Sequence, residues 1–299
     1  MAAVISSRVD SQRGSSLIRR FQLAAVTAAV LLAAGAPALR AADSQMPAPA
    51  PVANDGAKLT GRDIYDRVLR NRFDSFTQDS QLISGDRGGR AQESRLQMIW
   101  QSFRDKNGLP TRGVVSKTLV KYVYPFDVRF SGYLVIANHE RINDQFVYYP
   151  SRRKVVRVNL RSEAVFGTDF SFEDVIPREI EESDYERVAD ETVSGIPVYV
   201  VEVVPRAYAA SDYSRVRVYV EKERFVPLRT RYWDDAGVEI KELRAVPSEI
   251  RQFDGVWLPM KATMRNLQLE SFTTLVVTNF VPNPDLPQAT FDLSRLESH

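Results

Sequence analysis

Arg215-Val216-Arg217-Val218-Tyr219-Val220-Glu221 alternates strictly, with valines at 216, 218 and 220 and charged or aromatic residues between them. A period of two sends successive side chains to opposite faces, so this stretch is a strand with one apolar face and one polar face. The same rhythm runs on both sides of it. Lys261, Thr263 and Arg265 oppose Leu258, Met260, Ala262 and Met264, and Leu96, Met98 and Trp100 alternate with Gln97, Ile99 and Gln101. Working outward, β-branched and aromatic runs predict strands at 94–103, 117–124, 128–137, 145–149, 154–158, 186–193, 197–205, 214–221, 226–233, 238–246, 256–265 and 269–281. The breaks between them, such as Asp105-Lys106-Asn107-Gly108, Asp234-Asp235-Ala236-Gly237 and Asp254-Gly255, are too short for parallel crossovers. Neighbouring strands are therefore expected to be antiparallel, and βαβ architectures are excluded by the scarcity of helix-length segments.

A sheet of this many strands with one apolar face either curls around its contents or packs on a second sheet. Curling gives a barrel, open or closed, with an apolar interior. One helix is expected ahead of the strands. Thr60 is its N-cap candidate with Asp63 three residues on, and Ile64, Val68 and Leu69 follow on one face. That stripe needs something to cover, and a curved sheet would serve.

The N-terminus bounds the compartment. Arg19 and Arg20 precede an apolar run from Phe21 to Ala34, and small residues follow at Ala36-Pro37-Ala38 and Leu39-Arg40-Ala41. This is the layout of a cleavable secretory signal peptide over residues 1–41, with a core too short for a comfortable membrane span; a retained anchor is the alternative. Export to the periplasm is expected. The chain has no cysteine, so it carries no lipidated N-terminal Cys and no disulfide. Residues 42–57, rich in Pro and Ala, read as a disordered linker. The remaining 58–299 suffice for a single β domain with a sizeable core.

Charge and chemistry exclude several function classes. Of the 40 Lys+Arg and 38 Asp+Glu, residues 1–41 hold Arg8, Arg13, Arg19, Arg20 and Arg40 against Asp10, leaving 35 basic and 37 acidic residues. A nearly neutral domain gives no footprint for nucleic acid. With only His139 and His299 and no Cys, a Cys/His dyad is impossible and a His metal cluster is not expected. No nucleophile elbow, P-loop or dinucleotide fingerprint is present. Acidic pairs such as Asp234-Asp235, Glu181-Glu182 and Glu173-Asp174 read as solvated turns rather than as glycosidase carboxylates. No catalytic residue, metal or cofactor is expected.

One segment breaks the strand rhythm. Phe166-Gly167-Thr168-Asp169-Phe170-Ser171-Phe172-Glu173-Asp174 packs three aromatics, a glycine and three carboxylates into nine residues, just after the basic run Arg152-Arg153-Lys154-Val155-Val156-Arg157. The segment reads either as a plug or lid set into the β-structure or as a fixed corner linking two halves of a sheet. As a plug, Phe166, Phe170 and Phe172 would occupy the cavity, Gly167 would permit a sharp bend, and Asp169 would cap the following turn.

These stretches resemble a known family. Pro125-Phe126-Asp127-Val128, Phe146-Val147-Tyr148-Tyr149-Pro150-Ser151-Arg152-Arg153-Lys154-Val155-Val156-Arg157 and Phe166–Asp174 match its order, as do Gly195-Ile196-Pro197-Val198-Tyr199-Val200-Val201-Glu202, Pro227-Leu228 and Tyr232-Trp233-Asp234-Asp235-Ala236-Gly237. The chain is similar over roughly residues 60–296 to the LolA-like outer membrane lipoprotein-sorting proteins of the LolA/LolB superfamily. The resemblance implies an unclosed antiparallel β-barrel of about 11 strands, with a helical or loop plug and acyl chains carried inside. It also implies, as partners, a lipid or lipoprotein, an inner-membrane exporter of the resistance-nodulation-division type, and an outer-membrane acceptor.

For such a hollow the candidate lining is Leu96, Met98, Trp100, Val120, Tyr122, Leu134, Val216, Val218, Leu258, Met260 and Met264, residues that would equally serve as ordinary core. Flexible methionines suit an adaptable apolar wall. Arg152, Arg153 and Arg157 are the candidates for headgroup or partner contact, for which arginine's planar fork is suited. The alternative is a solvated strand edge, or ion pairs to Asp169, Glu173 and Asp174.

Overall fold

A computed structural model describes residues 59–297 except 107, 161, 162, 166, 176 and 177. The expected leader and linker, and with them Phe166 of the aromatic segment, lie outside the described residues. The fold is mainly β, as expected. Helix α1 (Gly61–Arg70) leads into β1 (Ser75–Gly85), β2 (Ala91–Ser102), β3 (Val114–Tyr124), β4 (Gly132–Asn138), β5 (Asp144–Tyr149) and β6 (Lys154–Val158). A long connection, 159–182, carries the short helix α2 (Phe172–Val175). The chain then meanders back through β7 (Ser183–Val193), β8 (Ile196–Pro205), β9 (Arg215–Glu221), β10 (Pro227–Trp233) and β11 (Glu239–Ala245). A hairpin of β12 (Ile250–Phe253) and β13 (Val256–Pro259) precedes β14 (Lys261–Asn266), β15 (Ser271–Pro282) and the terminal turn α3 (Ser294–Glu297). Among the described residues no helix is long and apolar enough to cross a membrane.

The main sheet has 13 strands in the order β6-β5-β4-β3-β2-β1-β15-β14-β11-β10-β9-β8-β7, every pair antiparallel. The first and last strands in sequence meet at its middle, and β6 and β7 are left as edges. The sheet is not closed, and the connection 159–182 runs from one edge to the other.

Two strands depart from the expectation. β1 was not foreseen as a separate strand, because Ser, Gln and Asp fill it. The run 256–265 is split. Its first part pairs with β12 in a two-stranded sheet, while its second joins β11 and β15.

Helix α1 starts as its sequence dictates. Asp63 N donates to Thr60 Oγ1 at 3.1 Å, and Thr60 N donates to Asp63 Oδ2 at 2.9 Å, a reciprocal capping box. Ile64 is fully buried and Val68 packs beside it against Val201, Val218 and Met264. The helix therefore covers the inner face of β8, β9 and β14. Its N-terminus lies so close to β7 that a Cβ at Gly61 would stand 2.7 Å from Arg187 N.

Both faces of the sheet are used. Leu119, Leu134, Tyr148, Phe291 and Leu296 form an outer cluster under the C-terminal segment. Val198, Val200, Tyr219, Leu228 and Ile250 form another, with Trp257 of the hairpin packed against it. Phe73, Phe76, Trp100, Phe280 and Phe253 form a chain of rings, the Phe76–Trp100 pair stacked at 5.6 Å. Such aromatic contacts add about 0.5–1.5 kcal/mol each beyond area burial.

Two expectations follow. Gly61→Val should lower stability by about 1–3 kcal/mol through overpacking against the β7 backbone, read as a reduced urea midpoint; an unchanged midpoint would mean that α1 does not press on β7. The second concerns pH. Burial pushes the hydroxyl pKa values of Tyr122, Tyr133, Tyr213 and Tyr232 well above the ordinary tyrosine range. The unfolded chain then loses these protons near pH 10 while the folded chain keeps them. Their stabilising contribution is full below that pH and is lost as pH rises past it. Stability should fall with a slope approaching about 1.4 kcal/mol per pH unit for each such tyrosine, checked by urea melts between about pH 9 and 12.

Candidate functional site

The site is built around the connection from β6 to β7. Its backbone closes on itself: Val165 N donates to Phe170 O, Thr168 N to Val165 O and Phe172 N to Glu163 O. Gly167, at φ +79°, takes the bend in the left-handed region that glycine enters without strain. The two described phenylalanines then turn to different halves of the inner face. Phe172 is buried with Leu82, Leu96, Val120, Tyr122 and Val135, its ring centroid 4.4 Å from that of Tyr133. Phe170 packs on the cluster of Ile64, Val201, Val218 and Met264. One short segment thus touches both arms of the sheet.

Carboxylates hold it in place. Asp169 N donates to Thr273 Oγ1 at 2.9 Å, Thr273 Oγ1 donates to Asp169 Oδ2 at 2.7 Å, and Ser271 Oγ donates to Asp169 Oδ1. Both partners stand on β15, so Asp169 is a tie to the sheet rather than the cap of a turn. Glu173 accepts from Arg178 Nη2 at 2.7 Å, from Asp212 N at 2.9 Å and from Ser211 Oγ. Asp174 Oδ2 accepts from Ser171 N at 2.8 Å, Ser171 Oγ at 2.9 Å and Lys241 Nζ at 3.0 Å; its Oδ1 accepts from Tyr213 OH at 2.7 Å. The Lys241–Asp174 pair is buried, with side-chain exposures of 12% and 2%. Burial raises the Tyr213 pKa and the Asp174 charge beside it raises it further. Burial opposes the charge on Arg178, yet Glu173 outweighs it and holds that guanidinium above its ordinary value.

The lining candidates divide by register. Leu96, Met98, Val120 and Tyr122 meet around Phe172, and Val216, Val218 and Met264 meet on the other arm, beneath Phe170 and α1. Trp100 shares their face at the aromatic chain, pairing with Phe76. Met260 is buried at the entry to β14, where its carbonyl accepts from Val277 N. Two positions need correction. Leu134 pairs in register with Leu119 and Phe146 and belongs to the outer cluster under Phe291 and Leu296. An apolar β4 residue has an equally apolar home on either side of this sheet, so alternation there did not say which side is inner. Leu258 lies in β13 opposite Arg251, in the hairpin rather than in the main sheet, because the expected single strand breaks at Met260.

The arginines also separate. Arg152 ends the turn Pro150–Arg152, and Arg153 caps it in the left-handed conformation, φ 47°. Arg157 lies in β6 and pairs with Asp144 Oδ1 at 2.5 Å. Among the described residues Arg152, Arg153 and Arg157 of this strip form no ion pair with Asp169, Glu173 or Asp174, and Arg161, weighed with them, lies outside the described residues; the cationic partners of Glu173 and Asp174 are Arg178 and Lys241. Neither partner was foreseen. Lys241 carried a usable signal, since it shares strand parity with Leu243 and Ala245 on the inner face, where a lysine needs a buried anion.

Beside the plug lies a cavity of about 890 Å³. Its walls come from the β4–β5 turn (138–143), the ends of the connection, and residues 208–210. They include Glu140, Glu163, Glu173, Glu179, Glu181 and Glu182 together with His139, Arg141 and Arg178. Charged and apolar side chains line this space together. The apolar inner face is covered by the protein's own side chains.

A protein-family model described as "-like: Uncharacterized protein" matches residues 115–298, from β3 to the end of α3. No curated protein matches the chain. Among solved structures, the fold is shared with a domain from Vibrio parahaemolyticus described as an outer membrane lipoprotein-sorting protein, at TM-score 0.71 and 21% identity, over 80% of this chain and 98% of that one. A DUF1329 family protein from Desulfovibrio piger superposes at TM-score 0.71 and 24% identity, over 79% and 98% of the two chains. A LolA superfamily protein from Nitrosomonas europaea does so at TM-score 0.61 and 16% identity, over 79% and 99%. With the family match spanning more than half of the sequence, the chain belongs to the family that this model describes, and its fold is the LolA-like one shared with these structures.

Proposed function

We propose that the protein is a periplasmic carrier that binds acyl chains of a lipoprotein or lipid against the inner face of its open sheet and transfers them between membranes. In this conformation Phe170 and Phe172 stand where cargo would lie. One observation carries the proposal: besides α1, a single segment covers the inner face of both arms of the sheet, tied by side-chain hydrogen bonds and two rings. Burying a phenylalanine is worth about 1.5–3 kcal/mol and each acyl methylene about 0.8 kcal/mol, so four to eight methylenes match the two rings. A long acyl chain exceeds that, and the plug returns when the chain leaves. Affinity is thereby moderated, as release requires. The relatives' description as lipoprotein-sorting and LolA superfamily proteins agrees with this reading, and residues 1–41, read as a signal peptide, supply the compartment.

The second reading is an accessory subunit of an inner-membrane exporter that carries nothing, its interior permanently filled. The buried Lys241–Asp174 pair favours it, since breaking such a pair by moving one partner away costs about 3–5 kcal/mol. Native mass spectrometry of protein purified from a bacterial periplasm separates the two. Co-purified lipid supports the carrier; cargo-free protein that still captures an exporter supports the subunit.

A variant tests the plug itself. Phe172→Ala removes a core aromatic, and the lost packing weakens the segment's hold by about 3–5 kcal/mol. Part of that should appear as tighter binding of a fluorescent fatty acid, by about tenfold or more. Unchanged affinity in a variant whose circular dichroism is native would show that cargo does not compete with this ring.

A further inference from the structure

Two adjacent hairpin tips carry a surface that neither the sheet nor the plug uses. Strands β4 and β5 pair from Gly132↔Tyr148 to Ile136↔Asp144, and β3 returns into β4 at Lys121↔Gly132. The β3–β4 loop and the β5–β6 turn therefore emerge side by side. Val128 packs inward, but three large rings at these tips are exposed. Phe126 is 90% exposed, the highest value among the large hydrophobic residues described, and Tyr124 and Tyr149 are 48% and 37% exposed.

The charge around these rings is one-sided. Arg129, Arg152 and Arg153 are exposed in the two connections, with exposed Lys154 next to them at the start of β6, and the connections hold a single acidic residue, Asp127. The rings and the guanidinium groups are also interleaved. Arg152 stands over the Tyr149 ring at 5.9 Å and Arg95, from β2, over the Tyr124 ring at 5.5 Å. Arg129 lies against Phe130 at 4.5 Å.

We propose that these two tips dock the protein on an anionic phospholipid surface. An exposed ring at the end of a turn costs free energy in water and gains it at the acyl boundary, where aromatic side chains with a polar end are enriched. Arginines alongside suit phosphate oxygens through their planar fork, and each basic residue near an anionic leaflet adds about fivefold to the partition. A convex tip rather than a groove presents these groups, which fits a surface better than a polypeptide. The proposal stands whether or not the interior carries an acyl chain. It gives Arg152 and Arg153 a partner of defined chemistry, and leaves out Arg157, which is paired to Asp144.

Co-sedimentation of the protein with vesicles of phosphatidylglycerol and phosphatidylethanolamine, against vesicles of phosphatidylcholine, tests it. The protein should partition onto the anionic vesicles and little onto the neutral ones, with binding weakened by salt. Phe126→Ser should lower the partition about tenfold, and Arg152→Ser with Arg153→Ser about 25-fold. Exposed Arg265, in β14, serves as the control: Arg265→Ser should leave binding unchanged. Melting curves accompany each variant, and the arginine pair provides an independent arm should Phe126→Ser fold poorly. Absence of vesicle binding, equal binding to neutral vesicles, or tip variants that bind like the parent would overturn the proposal. Capture of an acidic protein partner without vesicle binding would do the same.

Discussion

The pairing of β1 with β15, from Phe76↔Pro282 to Gly85↔Phe272, is the constraint on which the rest of the molecule depends. It joins the first and last strands of the sheet, and everything between them is two meanders running outward from that seam. Had the seam formed elsewhere, β6 and β7 would not both be edges. The connection between them would then have no gap to span. The seam also places Ser271 and Thr273 of β15 on the inner face, where Asp169 finds both hydroxyls. The position of the plug is thus set by a contact between residues about 200 apart in sequence, and helices contribute little to it.

Much of this was legible in local sequence. The alternation in β2, β9 and β14 gave their inner faces, and Thr60 with Asp63 marked the start of α1. The aromatic segment stood out because it breaks a period of two. What escaped was governed by distant partners. β1 is a seam strand whose inner positions include Gln78, Ser80 and Ser84. They are acceptable there because Gln78 bonds Ser80 at 3.0 Å and Ser84 bonds Thr273 at 2.9 Å. No local pattern announces such pairings. Leu134 was assigned to the wrong face for a related reason, since the C-terminal segment supplies Phe291 and Leu296 as a second apolar layer and the outer side of β4 is as oily as the inner.

The site shows the same division. The plug and the two groups of wall residues were each visible as types, and the fold brings them together around Phe170 and Phe172. Their ties were not visible. Lys241, Tyr213 and Arg178 come from three separate parts of the chain and converge on Asp174 and Glu173. Carboxylates that read as a solvated turn prove to be buried, and their low exposure is tolerable only because every described oxygen is met by donors. The cavity nearby has walls of mixed charged and apolar character, unlike the apolar inner face.

Unpaired strand edges invite other chains to add on, and this sheet has two of them facing a gap. β6 is only five residues long and exposes Lys154 and Arg157, while β7 exposes Glu186, Asp190 and Glu191. Short length and charge are the usual defences against unwanted strand addition. The connection is the third, because it lies across the opening. Swinging it fully aside would bare two hydrogen-bonding rims in a molecule with no disulfide to hold them. Short rims, charge along them and a connection that joins one edge strand to the other thus bear on the same hazard, growth of the sheet by addition of a foreign strand.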